Sequence, residues 1–574
     1  MVKNSINYSI ILLSIFILIL SSAPMTNALI TKNNKSIDEE PWDGYTLFAP
    51  EYSTVTYLID MNENVIHTWE SNYIQGLAAY LLEDGSIIRS CLPYGNPTFM
   101  GGGITGRVEI ISWDGELLWG FDYSNDQVCM HHDLEVLPNG NVLMIAWEYK
   151  TKAQAVTAGR NPSNIAFNKF FPDQIIEVKP TGPASGEIVW QWHAWDHLIQ
   201  DFDYTKNNYG VVTDHPELID INYFIGSPDW MHTNSIDYNE EFDQIMISLH
   251  NFDEIWVIDH STTTYEAKGH TGGNSGMGGD LLYRWGNPQT YRAGNTNDKK
   301  LFGQHDAQWI KSGCPGEGNI LVFNNGWNRP GGQYSTVDEF IPPVDENGDY
   351  HKDAESPYDP EEQIWIYSKE VPNDFVALGI SGASRLPNGN TLICNGPNGY
   401  FFEVTPEKDT VWDYTNPYPN LILNAVFKIQ RYSEDYPGLD NLDFNPEKPE
   451  TPYGPTSGVY GIEYTFYSST TDPQEDKIFY WFNWGDGSNS VWLGPYDSGE
   501  IISASHIWSQ SGVYNIKVKA RDLSDHESVW SDSFTISLPR NKLINRPLLQ
   551  FFQNHPALSL LDSILKFIFL NYNK

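Results

Sequence analysis

The sequence predicts an all-β chain: a six-bladed β-propeller closed by its N- and C-terminal strands, followed by a small immunoglobulin-like β-sandwich. Three observations predict it. A strand–turn–strand unit carrying Trp or Tyr recurs six times, as in "TYLIDMNENVIHTWE", "VEIISWDGELLWGFDY" and "FFEVTPEKDTVWDY". A second hairpin unit precedes the last five copies, as in "HHDLEVLPNGNVLMIAW" and "SGASRLPNGNTLICN". From Pro449 both the repeat and the composition change.

Each combined unit reads as a four-stranded meander. Asn-Gly and Asp-Gly pairs between apolar runs mark tight hairpins, and four-stranded sheets repeated radially make a propeller. The first copy has only its outer two strands, and "LILNAVFKIQRY" after the sixth copy supplies an orphan inner one. Pairing the two would close a ring over residues 43–432. Residues 433–455 read as a linker rich in Pro and Gly. Residues 456–538 alternate with period two, and "NWGDG", "SHIW" and "GVYNIKVKARD" resemble the polycystic-kidney-disease (PKD) type of immunoglobulin-like domain.

The ends carry different signals. Lys3, an apolar run over residues 10–20 and the small residues 26–28 read as a secretory signal over 1–28, too short for a membrane span. The mature protein is therefore expected outside the cytoplasm, secreted or at the cell surface. Residues 539–574 are apolar and read as helical in two pieces, a packing or surface-docking element. Composition narrows the partners. With 34 basic and 74 acidic residues the net charge is −40, which argues against nucleic acid. Cys91, Cys129, Cys314 and Cys394 lack zinc-knuckle spacing and leave both disulfides and free thiols open.

Aligning the inner-strand units on their turns brings Leu77, His132, His232, His305 and Ser381 into one slot. Equal slots on successive blades converge at the propeller axis, so three of the 15 histidines should meet there. The polar residues that follow them, Asp133, Thr233 and Asp306, are placed to orient an imidazole. His250 ends the hairpin that begins near His232, and Arg385 lies four residues beyond Ser381. Three chemistries fit such a cluster: a metal centre, an anion pocket, or nucleophilic catalysis by a neutral imidazole. Spacing alone does not choose among them. Tyr94, Phe99, Trp147, Trp195 and Trp327 are candidate stacking partners for an aryl ring.

The motifs "GYTLFAP", "HHDLEVLPNGN", "DWMHTNSI", "GQHDAQW" and "SGASRLPNGNTLICN" follow one another in the order found in the bacterial and archaeal arylsulfotransferases that do not use 3′-phosphoadenylylsulfate. Region 43–432 resembles that family. The resemblance implies a six-bladed propeller and sulfuryl transfer from a phenolic sulfate ester to a phenol through a sulfohistidine. It implies no cofactor, no resident metal and no nucleotide donor, and for the nucleotide the sequence agrees in lacking a Gly-x-x-x-x-Gly-Lys loop. Carried over by position, the nucleophile is His305 and the supporting residues are His132 and His232. Asn234 and Arg385 are candidate substrate contacts. The family's arginine falls on His250, a departure that removes a fixed positive charge. Two rival readings remain: a three-histidine metal enzyme on the same fold, and a cell-surface binding protein that has lost catalysis.

Overall fold

A computed structural model describes residues 40–540 apart from 94, 354–355, 421, 441, 443–444, 474 and 524. The signal segment, Tyr94 and nearly all of the apolar tail lie outside the described residues.

The described chain is nearly all β. Six four-stranded antiparallel sheets precede residue 433, and none closes on itself. Five are continuous in sequence. They start at Ile74–Leu81, Val128–Val136, Thr233–Asn239, His305–Trp309 and Gly382–Arg385. The sixth joins the chain's two ends: Val426–Tyr432 pairs antiparallel with Tyr45–Pro50, which continues through Val55–Ile59 to Val65–Glu70.

Local chemistry explains these elements. Three hairpins turn at Asp84-Gly85, Asn139-Gly140 and Asn388-Gly389, each glycine at positive φ (81°, 81° and 91°), which a side chain would oppose. Middle strands such as Val142–Glu148 and Gln244–Leu249 are buried at every position, whereas the outer strand Ser185–His193 is mostly exposed or half-buried. That gradient follows from packing sheet against sheet. One apolar cluster lies between each pair of successive sheets, from Ile88 and Met144 to Phe402 and Phe323. Two more join the end-closing sheet to its neighbours, through Phe48 with Phe401 and through Leu47 with Ile87. The six edge strands Ile74–Leu81, Val128–Val136, Thr233–Asn239, His305–Trp309, Gly382–Arg385 and Val426–Tyr432 touch in that order, and the last touches the first.

Two further sheets, Glu463–Ser468 with Ile502–Ile507 and the four strands Leu493–Tyr496, Ile478–Asn483, Gly512–Arg521 and Phe534–Leu538, share a separate core around Phe466, Trp484 and Trp508. Part of the expected linker is packed instead. Leu439 is fully buried between the end-closing sheet and the sheet that starts at Ile74, and the Tyr436 hydroxyl donates to the Leu81 carbonyl at 2.9 Å. All four cysteines are free thiols, three of them buried.

Candidate active site

The histidines gather where the edge strands begin. Ring centroids run His132–His232 at 4.6 Å, His232–His250 at 5.2 Å and His250–His305 at 5.6 Å, and Phe427 lies 6.2 Å from both His132 and His305. His132, His232, His250 and His305 are thus brought together. The backbone is shaped to admit them: a Cβ on Gly103 would sit 2.1 Å from the His132 ring, and the Gly103 carbonyl accepts from the His132 N–H at 2.8 Å.

Each ring is held through its Nδ1, and the partners determine the protons. Asn325 donates its amide to the carbonyls of Ala377 (2.6 Å) and Ile380 (2.8 Å), which fixes its oxygen toward His305 Nδ1 at 2.9 Å. That oxygen only accepts, so His305 is protonated at Nδ1 and bears its lone pair on Nε2. Asn251 does the same for His250: its amide donates to Asp229 O at 3.0 Å and its oxygen faces His250 Nδ1 at 3.1 Å. Burial holds His305 neutral, well below the ordinary imidazole range, with His250 adding to the effect. Burial likewise pushes His250 down to about 4, aided by His232.

His232 differs. Burial alone would lower it, but Asp229, whose carboxylate lies 2.5 Å from Nδ1, outweighs that and raises its pKa. Asp229 also accepts from the Trp147 indole at 2.9 Å. The cluster therefore joins one proton-rich imidazole to two neutral ones. His132, lowered by burial and by His232, shares a proton with His131 across 2.8 Å between their Nδ1 atoms, and His131 stacks on Trp147.

The shared slot needs correction. Asp133, Ser235 and Asp306 each accept from the backbone N–H of the next edge strand, at Ile236, Ala307 and Ala383. They are equivalent positions, so the preceding residues His132, Asn234 and His305 share the slot. His232 stands two residues earlier and reaches in from the approach loop. Asn234 is buried, and its amide donates to the Gln304 carbonyl at 2.7 Å, next to His305. Asp133 and Asp306 do not orient imidazoles. Lys428 binds them at 2.7 and 3.2 Å, and the Tyr80 hydroxyl donates to Asp133 at 2.8 Å.

Arg385 is not in the cluster. It is paired with Glu339 at 2.7 Å and lies over Trp365. With Lys311, Glu135 and Tyr432 it lines a separate cavity of about 930 Å³ that contains no histidine. Phe99 and Trp147 are buried and support the site from behind, and Trp195 packs against Phe170. Trp327 is exposed, with its Cβ 2.8 Å from where a Gly303 Cβ would lie, and a Cβ there would also approach His250 Nε2 at 2.9 Å. Sequence reasoning missed Asn325, Asn251, Asp229 and Lys428. The run "MGGG" before "ITG" and the lone lysine of "AVFKIQRY" were the available signals.

Among the described residues, the one group of at least three His, Cys, Asp or Glu side chains whose ligand atoms lie within 4.8 Å of one another is His197, His270 and Asp280, elsewhere in the chain.

Residues 105–421 match the family model described as Arylsulfotransferase (ASST). No curated protein matches the chain. Among solved structures, similarity is found to the PKD domain of an M14-like peptidase from Thermoplasmatales archaeon SCGC AB-540-F20. It is 40% identical, covers 17% of this chain and 96% of that one, and has a TM-score of 0.16. The CARDB domain of a Pyrococcus furiosus protein is 14% identical over 17% of this chain and 98% of its own, with a TM-score of 0.13.

Proposed function

The chain belongs to the arylsulfotransferase (ASST) family and is an aryl-sulfate sulfotransferase acting on a phenolic sulfate donor and a phenolic acceptor; from that premise we propose that the sulfuryl group passes through a covalent sulfohistidine at His305. The observation that carries the reading is the tautomer. Asn325 leaves the lone pair of a buried neutral imidazole on Nε2, which is the form a nucleophile needs.

In the first half-reaction Nε2 attacks sulfur, the S–O(aryl) bond breaks, and its electron pair leaves on the phenolate oxygen. His232, with Asp229 behind it, supplies the proton to that oxygen. His132 donates to the sulfuryl oxygens when His131 supplies the Nδ1 proton of the pair. In the second half-reaction the acceptor hydroxyl gives its proton to neutral His232 or to His250 Nε2. Its oxygen then attacks sulfur, and the S–N pair returns to His305. The kinetics are ping-pong and no nucleotide takes part.

The same reading takes the six sheets as blades of a propeller whose axis carries the site. The cyclic contact of the edge strands and the apolar cluster between every successive pair support it. It also takes residues 456–538 as a PKD-type sandwich without chemistry and residues 1–28 as an export signal.

Rapid mixing with a phenyl sulfate, without acceptor, should release one phenol per enzyme in a burst. Intact-protein mass at mildly basic pH should then show one added SO₃. His305→Ala should abolish both. His132→Ala should slow the burst by about 10²–10³-fold, as removal of an oxyanion-stabilising donor does. An adduct of full yield in His305→Ala would move the nucleophile to another histidine. Neither burst nor adduct in the wild type would favour the binding-protein reading.

A further inference from the structure

We propose that His197, His270 and Asp280 form a binding site for a divalent ion of the zinc class, which fastens the glycine-rich segment 268–279 to the chain at 194–199. His197 Nδ1 and His270 Nδ1 each lie 2.8 Å from Asp280 Oδ1, and His270 Nδ1 is 3.0 Å from Oδ2.

The hydrogen-bond geometry of His197 leaves one ring nitrogen for an ion. Its Nε2 lies 2.9 Å from the Ala267 carbonyl, which accepts only, so Nε2 carries the proton. Nδ1 then faces the Asp280 carboxylate oxygen at 2.8 Å, and an ion bound by both atoms satisfies the pair. A backbone carbonyl fixing the remote nitrogen while the other nitrogen ligates is the usual arrangement around a metal-bound histidine. Metal–ligand bonds of about 2.0–2.1 Å at angles between about 90° and 109° put ligand atoms about 2.9–3.4 Å apart, close to the separations found. Two imidazoles and one carboxylate suit zinc and its neighbours rather than calcium or magnesium.

The surroundings are built for a fixed ligand set. His197 is fully buried and lies parallel to Trp192 with centroids 5.7 Å apart. The Trp192 indole donates to the Gly279 carbonyl, beside Asp280, at 2.7 Å. A Cβ on Gly279 would approach His197 Nε2 at 2.7 Å, so the glycine lets the loop close over the ring. His270 is 60% exposed, so its ring is able to move onto an ion whose remaining position is open to water.

The test uses the full-length protein, stripped with chelator and re-equilibrated with zinc alone. One zinc per chain is expected by elemental analysis, with slower tryptic cleavage after exposed Lys268 when zinc is bound. His270→Ala, on an exposed ring, should fold normally and weaken zinc binding by at least about tenfold. Cobalt in its place should give visible absorption that disappears in Asp280→Asn. His305→Ala should keep its zinc, which separates this site from the histidine cluster. Failure to retain zinc at micromolar free ion, or retention unchanged in His270→Ala, would overturn the proposal and leave the three side chains as a hydrogen-bonded cluster.

Discussion

At the scale of single residues, the cluster works by holding similar imidazoles in different protonation states. Asn325 and Asn251 are neutral acceptors that fix tautomers without adding charge, whereas Asp229 adds charge to one ring alone. The burst phase should therefore run fastest at acid to neutral pH and decline as pH rises through the raised pKa of His232. It should show no rise through 6.5, because His305 is neutral already. Asp229→Asn should shift the declining limb to lower pH. Burst rates that climb steadily from pH 6 to 9 would contradict the assignment. Asn325→Ala removes one orienting hydrogen bond of about 1.5 kcal/mol, or about tenfold in rate, while the final adduct stays stoichiometric. His250, pushed down to about 4, cannot stand in for an arginine as a charge. His250→Arg should then tighten donor binding, read as a lower KM for phenyl sulfates, and an unchanged KM would show that the substitution is neutral for donor binding.

At the scale of elements, the edge strands explain what the sequence could and could not disclose. Hairpins at Asn-Gly and Asp-Gly, and the pairing of Val426–Tyr432 with Tyr45–Pro50, follow from local turn chemistry and a count of strands. The His132, His232 and His305 motifs were legible as well, but the register of His232 was not. The strand that follows it pairs Thr233 with Leu249 and Ser235 with Ser248, whereas three residues, 131–133, lie between the paired Met130 and Leu134 in the His132 strand. Such bulges shift alignment without leaving a mark in composition. Lys428 escaped notice for a related reason: one lysine in an apolar strand reads as an exposed position, yet it is buried between Asp133 and Asp306 from two other sheets. Removing the cation leaves two carboxylates facing each other, and breaking such a buried pair costs about 3–5 kcal/mol. Lys428→Met should lower Tm at pH 7, with partial recovery on acidification as the carboxylates take up protons. Asp306→Asn in the same chain should restore part of the loss. A Tm unchanged at pH 7 would show that the network does not support the strands.

At the scale of the whole molecule, the catalytic apparatus and the C-terminal sheets have separate cores, around the six inter-sheet clusters and around Trp484 and Trp508. Every residue placed in the mechanism lies between Gly103 and Lys428. The boundary between the two is not where composition alone would cut. Proline and glycine content suggested a linker from residue 433, but the side chain of Leu439 is fully buried against the end-closing sheet and the sheet that starts at Ile74, and Tyr436 bonds to Leu81. Composition does not show that an isolated leucine in a polar stretch has found an apolar site. Two truncations distinguish these boundaries. A chain ending at Asn445 keeps Tyr436, Leu439 and Leu442 and should retain the turnover and Tm of the six sheets that precede residue 433. A chain ending at Tyr432 exposes the site that Leu439 fills, losing about 1.5–3 kcal/mol of apolar burial, and should melt several degrees lower at similar activity per folded molecule. If the longer truncation folds but neither forms the adduct nor turns over, the C-terminal sheets contribute to the site and the separation of chemistry from those sheets is wrong.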